Sequence, residues 1–181
     1  MNIDALNLAE QLLLSRVDQA TGLMEEKHEQ LLQRGVFGEY RKIYEEYVDL
    51  IESQAEGLEA LKRATFLHWY QMAEPSCFSG LYALPENASR RVLGALERKI
   101  ESEAMDAELR WMLPYYHEIA EWAFSSYSGL PNLKAFLGKV DRELLQKVDL
   151  RVEDFLNRGQ MGDYWVSIIN PNVSRFGEGA I

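Results

Sequence analysis

What this chain has least of is chemistry that local spacing can reveal. It contains one cysteine, Cys77, so it forms no internal disulfide. It has no Gly-x-Gly-x-x-Gly turn, no Walker-type glycine-lysine loop and no serine inside Gly-x-Ser-x-Gly. The usual marks of nucleotide cofactors and of the commonest serine hydrolases are therefore missing. No apolar run approaches the roughly 20 residues of a membrane span. The opening MNIDALNLAE has neither the basic start nor the apolar run of a secretion signal, so a cytoplasmic location is expected. On that reading the Asn-x-Ser triplets at Asn87 and Asn172 are chance matches to a glycosylation acceptor. Positive charge is scarce too. Lys plus Arg number 19 against 29 Asp plus Glu, a formal charge of −10 that repels a phosphate backbone. Direct nucleic-acid binding is disfavoured and a basic protein partner favoured.

What the chain does have is helical periodicity almost throughout. At 181 residues it can bury one sizeable core, and no linker or repeat divides it, so residues 1–181 are expected to form a single helical domain. A first helix is predicted from about Asp4, as N-cap, to Gln33, with Leu6, Leu13, Val17, Ala20, Met24 and Leu31 on one side. A second is predicted from about Gly38 to Met72. Its seam runs from Phe37 through Tyr40, Tyr44, Tyr47, Ile51, Leu58 and Leu61 in steps of three and four, with one break at Gln54. Two such helices would make a long antiparallel hairpin. Residues 74–84 are irregular around Pro75 and Gly80. Pro85 opens a third helix with Val92, Leu93, Leu96 and Ile100 inward, and Asp106 caps a fourth. Short helices are expected near 131–137 and 141–157. YWVSII, residues 164–169, reads as a strand or a last helical turn, and the stretch from about 160 to 181 as a loosely packed tail. The fold class is thus all-α, a helical bundle built on a long hairpin with a kinked, aromatic-rich central helix.

That central segment, residues 107–128, is the most distinctive in the chain. At about 100° per residue its apolar side chains sweep roughly 220°, far more than the roughly 100° stripe of a surface helix. Arg110, Pro114, His117, Glu118, Glu121 and Ser125 form the remaining polar strip, and Pro114, lying on it, should bend the axis while water meets the freed carbonyl. Met112, Tyr116, Ile119 and Ala123 lie central in the arc; Trp111, Tyr115 and Trp122 form its margin. A homodimer that buries this margin is expected. Its rival is a margin covered within one chain, by residues 74–84 or by YWVSII.

Chemistry-bearing residues are few. Glu25-x-x-His28 occurs once, whereas di-metal bundles use that pattern twice with two further glutamates, so no metal and no cofactor is expected. His68 falls on the inward seam and is followed by Trp69 and Tyr70. With Cys77, Tyr82, Trp111 and Tyr115 they are a candidate aromatic pocket, although a core histidine hydrogen-bonded to a neighbour satisfies the same pattern. No catalytic residue can be assigned. Seven carboxylates lie between Glu39 and Glu59, and Glu45, Asp49, Glu52, Glu56 and Glu59 step by four and three into a candidate partner-binding ridge opposite the tyrosine seam. The function expected first is therefore a helical interaction or regulatory protein acting through protein contacts. A small-molecule binder or enzyme with a pocket at His68 is the alternative, and a metal-dependent bundle a third.

Overall fold

The computed structural model describes residues 1–139 and 150–170, and among these every regular element is helical. The elements are α1 (Ile3–Asp18), α2 (Met24–Gln33), α3 (Val36–Leu50), α4 (Gly57–Ala73), α5 (Ser76–Ser79), α6 (Glu86–Glu101), α7 (Ala107–Ile119), α8 (Trp122–Ser125), α9 (Pro131–Leu137) and α10 (Gly159–Ile169). A 3-10 turn at Val152–Asp154 precedes α10. None of these helices is long and apolar enough to cross a membrane.

Both long helices expected at the amino end are interrupted. The cap of α1 is Asn2, whose side chain accepts from the Ala5 amide at 2.9 Å, while Asp4 sits in the first turn. The helix stops at Asp18 because Gly22 turns the chain at φ +101°, a conformation no helix contains. The Glu26 carboxylate then takes up the Leu23 amide at the start of α2. The second break falls at residues 51–56, where Ser53 N–H donates to the Leu50 carbonyl and Gly57 N–H to Ser53, closing a turn between α3 and α4. A set of shorter helices thus replaces the single long hairpin, with α1 on α3 and α3 on α4. The tyrosine seam survives inside α3, since Phe37, Tyr40, Tyr44 and Tyr47 are all buried.

The aromatic segment is also two helices. Asp106 caps α7 as expected, accepting from Leu109 N–H at 2.9 Å, but Ala120 leaves helical space and α8 starts afresh at Trp122. Pro114 remains inside α7 and is buried, so it does not lie on a wet strip. Ile119, expected in the core, is exposed because it closes α7 just before the turn. The stretch expected to be a loose tail from about 160 is instead the packed helix α10 as far as Ile169, and YWVSII is helical within it. Trp165 is 0 % exposed, stands edge-on to Trp111 at 4.6 Å, and donates its indole N–H to Tyr116 Oη at 3.0 Å. The arc's margin at Trp111 and Tyr115 is therefore covered within one chain. Trp122, 53 % exposed, is not. Most of the helix expected at 141–157, and the end of the tail, lie outside the described residues.

Candidate functional site

The seven residues of the expected pocket go to three separate places. His68, on α4, is 0 % exposed, and its Nε2–H donates to the Ala123 carbonyl of α8 at 2.8 Å. Burial outweighs that hydrogen bond and holds its pKa below the ordinary histidine value, so the ring is neutral. Phe124 and Tyr127 stand edge-on to it, at 6.3 and 5.7 Å. Trp69, Tyr70, Trp111 and Tyr115 belong to a closed aromatic cluster in which Trp69 stacks on Tyr116 at 4.5 Å and Tyr115 Oη meets Tyr164 Oη at 2.6 Å. Cys77 and Tyr82 lie elsewhere, beside His28 of α2. The side chains expected to line one pocket are thus not brought together, and His68 itself is buried against Ala123, Phe124 and Tyr127.

The acidic ridge is likewise redistributed. The break at 51–56 interrupts it, and each member finds its own role. Glu45 is exposed. Asp49 and Glu52 pair with Arg91 and Arg98 of α6 at 2.7 and 3.1 Å, and Glu56 accepts from Ile3 N–H at 3.1 Å. Glu59 turns inward to Arg63 at 2.7 Å and Arg158 at 2.6 Å. From there a buried network runs on. Arg158 also holds Glu108, and Lys62 bridges Glu108 to Asp106. Arg63 donates to Tyr47 Oη, which itself donates to Glu10. Glu10 accepts from Gln160 N–H at 2.9 Å, and Asn7 from Gly159 N–H at 2.7 Å, so α1 anchors the start of α10. The two end carboxylates differ in state. Burial pushes the Glu10 carboxyl above its usual range despite Tyr47 and Gln160. Burial acts the same way on Glu59, but the Arg158 and Arg63 guanidiniums outweigh it and hold that carboxyl below. The two ion pairs of Arg158 join residues 50 and 99 apart and left no trace in local spacing.

Two of the features open to solvent bring chemistry-bearing side chains together. One is a cleft of about 550 Å³ between the end of α7, α8 and α9. Its floor is Phe124, Leu133 and Leu137, and its rim carries His117, Glu121 and Lys134. His117, from the polar strip, is half-buried here. Both walls are pinned from behind: His68 holds Ala123, and the Glu97 carboxylate of α6 accepts the Asn132 and Leu133 amides at 2.9 and 2.7 Å, capping α9. The other feature is the contact of His28 with Ser76, whose ring Nδ1 and Oγ are 2.8 Å apart at the rim of two grooves. Among the described residues no group of three or more His, Cys, Asp or Glu side chains is placed to hold a metal ion. No family model, curated protein or solved structure matches this chain.

Proposed function

We propose that this protein is a binding protein that takes a small amphiphilic ligand into the cleft between α7, α8 and α9. The observation that carries this reading is the cleft's composition. A volume of about 550 Å³ is the size of ordinary ligand sites, and an apolar floor with a few convergent polar groups is their usual chemistry. The floor of Phe124, Leu133 and Leu137 supplies the driving force through apolar burial. Lys134 and His117 on one hand and Glu121 on the other orient a polar head group at the rim. Pinning by His68 and Glu97 lowers the ordering cost of binding. The test uses 1-anilinonaphthalene-8-sulfonate, whose aromatic body and anionic head suit that floor and Lys134. Saturable one-site fluorescence enhancement is expected. Leu137→Trp, which fills the cleft, should weaken it at least about tenfold, or about 1.4 kcal/mol, with the helical spectrum kept. Enhancement that does not saturate, or that Leu137→Trp leaves unchanged, overturns the reading.

A second reading, an interaction protein that pairs with its own copy, is favoured by Trp122. This side chain lies on α8 beside the cleft and is 53 % exposed, and tryptophans placed so are frequent anchors of protein contacts. The acidic ridge supports that reading less, because Asp49 and Glu52 are engaged by α6 and Glu59 by the interior.

A further inference from the structure

The second open feature has a chemistry of its own, independent of the cleft. Residue Ser76 stands just after Pro75, where the chain leaves α4 and enters α5, and its Oγ lies 2.8 Å from Nδ1 of His28, 48 positions earlier on α2. The imidazole is not loose. Phe37 packs on it at 4.9 Å and Tyr82 meets it edge-on at 5.1 Å, which fixes the ring plane against the hydroxyl. Two grooves meet at this point. One, of about 280 Å³, is bounded by Met24, Glu25, His28 and Cys77. The other, of about 570 Å³, is bounded by Met72, Glu74, Leu81 and Tyr82 among others, and Pro75 and Ser76 line both. In the wall of the second groove Ala83 sits at φ +51°, a left-handed conformation that costs a non-glycine residue energy and gathers at functional sites.

We propose that Ser76 is a nucleophile activated by His28 and that it accepts acyl groups from small neutral esters lying across the two grooves. A serine hydroxyl is a weak nucleophile unless a base within hydrogen-bond reach takes its proton, and that is the arrangement present. With the ring proton on Nε2, Ser76 Oγ–H donates to Nδ1. As Oγ bonds to the ester carbonyl carbon, its proton passes to Nδ1 and the carbonyl electrons move onto oxygen. The adduct collapses, the carbon–oxygen bond to the alcohol breaks, and the departing alkoxide leaves with that proton. A water molecule, deprotonated by His28, then attacks the acyl-serine and releases a carboxylic acid, restoring Ser76 and the neutral imidazole. Acyl and alcohol portions occupy one groove each, against Met24 on one side and Met72 and Leu81 on the other. Glu25 borders one groove and Glu74 the other, so an anionic substrate meets like charge on both sides of Ser76. This disfavours anionic esters. The neighbouring Cys77 competes poorly, because burial pushes its thiol up and keeps it protonated.

The test is incubation of the full chain with p-nitrophenyl acetate, following nitrophenolate release and locating the acetyl group by peptide mass mapping. A burst of one nitrophenolate per chain with the acetyl on Ser76 is expected. His28→Gln, which keeps a polar side chain but removes the base, should slow acylation on the order of 100-fold or more. The negatively charged p-nitrophenyl hemisuccinate should react several-fold more slowly than the acetate. Acetyl found only on Cys77 or on lysines overturns the proposal, as do no labelling at all and a His28→Gln variant that acylates at the wild-type rate. The wild-type map decides even where the variant does not fold.

Discussion

Replacing His68 with alanine removes both a hydrogen bond and a buried ring from the back of the α7–α9 cleft. The Ala123 carbonyl loses its donor at 2.8 Å, and stranding a buried acceptor costs about 1 to 3 kcal/mol. Truncating a fully buried ring adds a cavity, and substitutions of that kind cost about 2 to 5 kcal/mol. The two contributions overlap, so the expected loss is about 3 to 5 kcal/mol. Urea unfolding followed by circular dichroism measures it. With a slope of about 2 to 3 kcal/mol per molar, the midpoint should fall by about 1 to 2.5 M. His68→Phe refills the ring volume and strands only the carbonyl, so it should lose about 1 to 3 kcal/mol. The pH dependence separates the two causes further. The folded-state pKa of His68 is depressed by burial, so the stability it contributes is present above its unfolded value of about 6.5 and fades as pH falls toward the folded value. In the His68→Phe variant this part of the acid slope should vanish. A loss under about 1 kcal/mol for His68→Ala, or identical acid slopes in the wild type and His68→Phe, would refute the buried-neutral assignment.

Lysine substitutions from α3 through the 51–56 turn to α4 should separate surface ridge from interior network. Glu45→Lys and Glu52→Lys sit in exposed positions and should change stability by no more than about 1 kcal/mol. Glu59→Lys leaves Arg63 and Arg158 without their shared carboxylate and should cost about 3 to 5 kcal/mol by urea titration. Equal effects of the three would mean that Glu59 is not the hub the structure makes it. For the homodimer reading, Trp122→Glu should convert a sedimenting dimer to a monomer while its circular dichroism spectrum stays helical. A wild-type chain that sediments as a monomer at tens of micromolar would exclude the dimer outright.

The parts of this fold that were legible from sequence are those where one local rule decides. The seam Phe37, Tyr40, Tyr44 and Tyr47 repeats at helical spacing and is buried, and Asp106 caps its helix as a short acidic side chain does. Breaks were illegible where the apolar period runs across them. Ile51 and Leu58 are seven apart and both partly buried, so the seam continues in register although the helix does not. Contacts between distant residues were illegible in principle. Neither the pairing of Glu59 with Arg158 nor the approach of His28 to Ser76 leaves any mark within a window of a few turns. Cys77 and Tyr82 were grouped with His68, but the histidine beside them is His28. The arc margin misled for a related reason. The stretch from about 160 read as a loose tail, when Gly159 just before it is the point that lets α10 dock.

That docking point makes a sharp last prediction. Gly159 sits at φ +58°, and a Cβ added there would lie 2.4 Å from Glu10 Oε1. Gly159→Ala therefore imposes about 1 to 2 kcal/mol of left-handed strain and forces the buried Glu10 carboxyl away from Tyr47 Oη and the Gln160 amide. A hydrogen bond to a carboxyl group of this kind is worth about 1 to 3 kcal/mol, so the anchor weakens by about 2 to 5 kcal/mol in all. Against this stands the burial of Trp165, about 150 to 250 Å² of side chain or about 4 to 6 kcal/mol, together with its partners Trp111 and Tyr115. Because the second quantity matches or exceeds the first, α10 should stay docked while its local opening becomes far easier. Native-state hydrogen exchange resolves that outcome. Amides of α10, such as those of Trp165 and Val166, should exchange orders of magnitude faster in the variant, while those in the middle of α4 keep most of their protection. Uniform acceleration across α4 and α10 would mean that the anchor belongs to the global core, and unchanged exchange in α10 would mean that Glu10 and Gly159 do not hold it.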